Sequence, residues 1–165
     1  MKKAVVYMML VVTGFMAQSQ ELEKGLFDFW LGDWNLTWTN QDGSMGKASN
    51  SITKILDDQV ILENFEAEGQ NALKGMSHSV YNAKQKTWKQ TWVDNQGSHI
   101  VLTGALMEGN PVFYTEPTDT KNGKIQFRMV FSEITPNSFV WDWQRKLDDN
   151  WESSWKIQYA RKSSQ

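Results

Sequence analysis

The sequence contains no cysteine. That excludes disulfide staples, thiolate metal sites and thiol nucleophiles. A folded domain built from this chain must be held by its apolar core. Histidine occurs only at His78 and His99, so no His-Glu-x-x-His set for metal hydrolysis is present. A Gly-x-Ser-x-Gly elbow and a phosphate-cradling glycine loop are also missing. No catalytic motif, metal-ligand set or cofactor is therefore implied. The formal net charge is only −2, which gives no electrostatic basis for a nucleic-acid partner or an anionic membrane surface.

Residues 1–19 read as a secretory signal peptide. Lys2 and Lys3 precede an apolar run from Ala4 to Phe15, and Ala17-Gln18-Ser19 supplies small residues for a cut after Ser19. The run is shorter than the ~20 residues that span a bilayer. The expectation is export to the periplasm or the medium, with one domain over 20–165. Without Lys2 and Lys3 the 17 basic residues fall to 15 against 19 acidic ones, a net charge of −4. A domain of this length can bury a sufficient core.

What the chain does have is tryptophan, nine in all, and a regular succession of short alternating segments. Glu21 to Leu31 reads as one or two helical turns, with Leu22, Leu26, Phe29 and Trp30 on one stripe. Gly32 ends it, and Trp34, Leu36 and Trp38 then alternate on one face of a strand. Further strands are expected over 46–56, 60–68, 74–82, 87–94, 98–107, 112–118, 125–132, 138–147 and 151–161. Polar turns separate them, among them Asn122-Gly123 and Asp148-Asp149-Asn150. No segment is long enough for a crossover helix. The fold class is all-β: an antiparallel up-and-down barrel of about ten strands, closed so that no edge is exposed, with the short N-terminal helix across one end.

In such a barrel the apolar face points inward. Besides the first strand, the inward set is Val60 and Leu62; Met76, His78 and Val80; Trp88, Gln90 and Trp92; Ile100, Leu102 and Leu106; Phe127, Met129 and Phe131; Phe139, Trp141 and Trp143; and Trp155, Ile157 and Tyr159. Trp151 shares the face of Trp155. On 60–68 the opposite parity, carrying Ile61, Phe65 and Ala67, competes. Rings interrupted by a few polar groups suit a small, at least partly apolar ligand. Trp38, Trp92, Trp141 and Trp143 are expected to line the site, with Asn64, His78 and Gln90 orienting the ligand.

The segment Asp28-Phe29-Trp30-Leu31-Gly32-Asp33-Trp34 resembles the Gly-x-Trp entry of calycin-type barrels: lipocalins, fatty-acid-binding proteins and nitrobindin-like proteins. Together with Ile61 to Phe65, Gln90 to Asn95 and Phe139 to Trp143, it is similar to the bacterial secreted family called domain of unknown function 1579. That resemblance implies the barrel and brings no established activity. Nitrobindin-like barrels hold haem through a late interior histidine, and no histidine follows His99 here.

Two other functions fit parts of the pattern. A secreted enzyme acting on a small molecule or glycan would use Glu63 and Asp94 as paired carboxylates. An outer-membrane barrel would share the signal peptide and the alternating strands, but its aromatics form girdles rather than recurring within strands. Oligomeric state is not legible.

Overall fold

The computed structural model describes residues 22–121, 123–147 and 150–163. The signal peptide expected over 1–19 lies outside the described residues, as do positions 122, 148 and 149 of two expected turns. Twelve strands follow in chain order: β1 (Gly32–Thr39), β2 (Met45–Ile55), β3 (Val60–Ala67), β4 (Lys74–Asn82), β5 (Thr87–Asp94), β6 (His99–Met107), β7 (Asn110–Thr115), β8 (Thr118–Thr120), β9 (Gly123–Ile125), β10 (Phe127–Ser132), β11 (Ser138–Leu147) and β12 (Asn150–Arg161). Ten of them close a barrel in the order β1-β12-β11-β10-β7-β6-β5-β4-β3-β2, while β8 and β9 form a separate two-stranded hairpin. All pairings are antiparallel, and β1 joins β12 through Trp34↔Arg161 to Thr37↔Gln158. The expected all-β barrel is the observed one.

The N-terminal plug is tighter than an α-helix. Leu26, Asp28, Trp30 and Leu31 each donate to the carbonyl three residues back, which is the 3-10 pattern, and only Asp28–Trp30 forms a 3-10 turn. Strand side chains satisfy the carbonyls that such a short element leaves open. Trp34 Nε1 donates to Trp30 O at 2.8 Å, Tyr81 Oη to Leu22 O at 2.7 Å, and Trp88 Nε1 to Glu23 O at 3.0 Å. Arg161 Nη1 donates to Leu31 O at 2.9 Å, and its guanidinium lies 4.1 Å from the Trp34 ring centre. Gly32 has a φ of +122°, and a Cβ there would meet Arg161 Nη1 at 2.2 Å. This is one place where only glycine fits.

Phe27 and Trp30 are fully buried. Phe27 stacks on Phe113 at 4.4 Å and meets Trp88 and Phe131 edge-on at 5.2 and 5.8 Å. The turn spacing thus sends Phe27, rather than Leu26, to the centre of the plug.

Three face assignments differ from expectation. On β3 the buried residues are Ile61, Glu63 and Phe65, with Asn64 exposed, so Val60 and Leu62 belong to the outer parity. Burying the bulkier Ile61 and Phe65 decides this register, because a one-residue slip exchanges every side chain between faces. On β4 Ser77 and Ser79 are buried, whereas His78 is exposed and Met76 and Val80 are 41% exposed. Size complementarity is the cause. β4 pairs with β5 (Gly75↔Asp94, Ser77↔Trp92, Ser79↔Gln90), and a Cβ on Gly75 would meet the Trp92 ring at 2.2 Å. Large inward rings on β5 require small inward residues on β4. Finally, the register of β11 and β12 shifts after Trp143↔Trp155, where Gln144 pairs with Ser153. This bulge leaves Ser154 without a partner and turns Trp151 outward. There it packs on Tyr114 at 5.9 Å, under the Arg128 guanidinium at 4.1 Å.

Because Phe27 fills the space between three rings, Phe27→Ala should lower stability by about 3–5 kcal/mol while keeping the β-sheet circular-dichroism signature. Urea unfolding followed by tryptophan emission checks this. A loss below about 1 kcal/mol would show that the plug is not part of the core.

Candidate functional site

The inward side chains fall into three layers. At the plugged end Trp30, Trp34, Trp88, Phe113, Phe131 and Phe139 form a buried aromatic cluster with Phe27. The middle layer is polar and buried: Asn50, Glu63, Ser77, Ser79 and Gln90 are each 5% exposed or less, and the hydroxyl of Tyr159 joins them. Beyond it, toward the open end, lies a cavity of about 170 Å³. Its walls are the rings of Phe65, Trp92, Trp141, Trp143 and Trp155, with Leu73, Ile100, Leu102, Met129 and Ile157 between them. Glu63 and Tyr159 form its floor, and Asp94, last residue of β5, stands at its rim.

The rings meet at steep angles. Trp141 and Trp143 are nearly parallel, 6.2 Å apart, and Trp155 stands across Trp141 at 83° and 5.7 Å. Phe65 meets Trp92 and Trp155 edge-on, each at 6.1 Å. Several indole N–H groups are engaged at the edges of this wall. Trp92 Nε1 donates to Asp94 Oδ2 at 3.0 Å and Trp141 Nε1 to Met129 Sδ at 3.4 Å.

Glu63 is held by two neutral donors. Asn50 Nδ2 reaches Glu63 Oε1 at 2.7 Å and Ser77 Oγ reaches Glu63 Oε2 at 2.6 Å. Asn50 Nδ2 also donates to Tyr159 Oη at 3.1 Å, and Gln90 Nε2 to Ser79 Oγ at 3.0 Å and Ser77 Oγ at 3.3 Å. No ion pair to Glu63 occurs among the described residues. Burial therefore dominates and raises its pKa to about 7, against the lowering effect of Ser77 and Asn50. The Tyr159 hydroxyl is pushed well above its usual range by the same burial and by the Glu63 charge. Asp94 behaves oppositely. Partial desolvation pushes it up, but the Ser98 and Gln96 backbone N–H groups at 3.0 and 2.9 Å and the Trp92 N–H outweigh that and hold it at about 2.

The residues expected to form the site are only partly gathered. Trp92, Trp141 and Trp143 line the cavity. Trp38 faces inward beside it, edge-on to Trp155 at 5.2 Å, its N–H on Asn40 Oδ1. Gln90 is inward but lies within the polar layer, bonded to serines. Asn64 and His78 are exposed on the outer face of the barrel, because the parities of β3 and β4 are opposite to those expected. Asn50, Ser77, Trp155 and Tyr159 were not singled out as site residues. For Asn50 the signal was the parity it shares with Ile52, as Glu63 shares that of Ile61 and Phe65; Trp155 and Tyr159 stood in the expected inward set, and Ser77, between Gly75 and Ser79, carried no such signal.

The folded state keeps the Glu63 proton up to about pH 7, whereas the unfolded chain releases it near 4.5. Between these values the folded state binds more protons, so stability falls as pH rises through that window, by about 3 kcal/mol in full. Asp94 is ionised throughout and adds nothing to this slope. Glu63→Gln should abolish the decline, as read from urea midpoints between about pH 5 and 8. Parallel profiles for the two proteins would contradict the assignment.

No family model matches the sequence, and no curated relative was found. Among solved structures the chain is similar to the S-type phycobiliprotein lyase CPES from Guillardia theta, at 14% identity and a TM-score of 0.51, over 84% of this chain and 92% of that one. At that identity the likeness is one of fold alone.

Proposed function

We propose that the protein is an exported, soluble barrel that binds one small ligand in the open half of its lumen. The observation that carries this is the cavity of about 170 Å³ walled by rings and floored by a buried carboxylate. A cavity of about 150 Å³ with apolar walls admits one benzene ring, so the occupant is a single ring or a compact aliphatic body with one polar end. The segments that resemble the secreted family named above fall on the plug and β1, on β3, on β5 and on β11. Membership of that family, and export through residues 1–19, are part of the same proposal. So is the ligand class, since the structural relative is named for acting on a phycobiliprotein and shares 14% identity.

The polarity of the barrel speaks for a soluble protein. Exposed positions of the strands carry Asp33, Asn35, Lys47, Glu66, Lys89, Lys156 and Gln158 among a few apolar residues such as Val80 and Val101, and most of the rings, Tyr114 and Trp151 apart, are inside. A transmembrane barrel has an outward apolar band around a polar interior.

One observation favours a second reading, an acid–base enzyme. Glu63 is poised near neutrality while Asp94, on the same cavity, is fully ionised, and such separation marks acid and base roles in carboxylate pairs. Turnover of a small molecule or glycan that disappears in both Glu63→Gln and Asp94→Asn would establish it.

For the binding reading, small ring compounds titrated into the protein should quench or shift tryptophan emission at micromolar to millimolar concentration. Ile100→Trp, which fills the cavity from β6, should weaken that response by tenfold or more. If no compound perturbs the emission, or if the filled variant binds equally well, the lumen is not the site.

A further inference from the structure

The lumen presents one sign of electrostatics. Its two ionisable acids, Glu63 and Asp94, face no lysine or arginine among the lining residues. Aromatic faces are negative, their quadrupoles attracting cations, and the cavity is walled by the nearly parallel rings of Trp141 and Trp143 with Trp155 perpendicular to Trp141. The N–H groups of Trp92 and Trp141 are engaged with Asp94 and Met129.

The polar floor is short of donors. Glu63 accepts one hydrogen bond on each oxygen, although each carboxylate oxygen has two lone-pair sites. In the same layer Asn50 Oδ1 and Gln90 Oε1 are buried acceptors with no partner. No cation pairs with Glu63 among the described residues, and a buried unpaired carboxylate is costly unless it is protonated or a counter-charge arrives.

Resting on the binding function above, we propose that the occupant is a small organic ammonium ion, its cationic nitrogen set against the Glu63 carboxylate and enclosed by the indole faces. A carboxylate or phosphate ligand would meet two like charges and no base. A neutral apolar ligand would leave the excess acceptors as they are. An ammonium supplies the missing positive charge, and a primary or secondary one also supplies N–H donors. Its removal from water is compensated by the ring faces, where cation–π attraction is strongest when desolvated. Asp94, ionised at the rim, attracts the cation during entry.

The test compares each cation with an uncharged molecule of the same shape: choline with 3,3-dimethyl-1-butanol, and benzylamine with ethylbenzene. Calorimetric titration at about pH 8 keeps Glu63 largely ionised. The expected result is binding at least tenfold tighter for the cation in one pair or both. In Glu63→Gln that preference should shrink to threefold or less. The variant's thermal unfolding is recorded alongside to establish that it folds, and the wild-type comparison stands without it. If the neutral partner binds as well as the cation in both pairs, or if Glu63→Gln keeps the full preference, cation selection is wrong while binding in the lumen survives. If neither member of either pair binds, the inference falls. The fluorescence titration with neutral ring compounds then decides separately whether the binding function falls with it.

Discussion

A barrel of about eight strands is just wide enough for its own side chains to fill, and ten strands enclose more than that. The consequences of this surplus volume run through the whole molecule. At one end the chain fills it with its own N-terminal residues. Phe27 and Trp30 are driven between the strands and the exposed carbonyls of the turn are tied to Trp34, Tyr81, Trp88 and Arg161. In the other half no such insert occurs among the described residues. Large rings from β5, β11 and β12 reach inward, and small residues opposite them make room. Gly46 lies against Trp38 and Gly75 against Trp92 so closely that a Cβ would fall 2.1–2.2 Å from the ring. The rings lie along the wall rather than across the lumen, and the space remains.

Between the two halves lies the polar layer of Asn50, Glu63, Ser77, Ser79 and Gln90. A core of this size gains stability from apolar burial, and a lone carboxylate there is a net cost unless the group does something else. Every stabilising contact of Glu63 is a neutral hydrogen bond, so its charge depends on pH and on what occupies the space above it. Asp94 shows the contrast within one cavity. Three donors hold it charged at the rim, where water is close. The same chemical group is thus given two electrical states by its depth and by the donors around it.

The ten barrel strands, their order and most of their boundaries were legible in the sequence, because period-two alternation and polar turns are local signals; the separate β8–β9 hairpin was not. The plug was legible as a stripe, but not the 3-10 geometry that brings Phe27 to its centre. The site was less so. On β4 Met76, His78 and Val80 are the more apolar set, yet they face outward, since Gly75 and Ser77 on the inner face make room for the volume of Trp92 on the neighbouring strand. Hydrophobicity read along one strand carries no information about the bulk across from it. The bulge at Ser154 likewise reverses Trp151 through pairing, which no periodicity within β12 reveals. Glu63 was visible only as a carboxylate of uncertain parity. Its standing as the floor of the cavity follows from Ile61 and Phe65, which fix the register of β3.

The latched plug also decides how the vessel is filled and emptied. With that end sealed by packed rings, the lumen is a blind tube. Under the proposed binding, a guest would enter and leave by one mouth, and the water it displaces would pass it in the opposite direction. Exchange is therefore set by the residues around that mouth, the 68–73 segment with Leu73 and the 95–98 turn, rather than by the depth of the tube. The order of entry is equally constrained, because only a molecule that travels with its polar end foremost arrives with that end at Glu63.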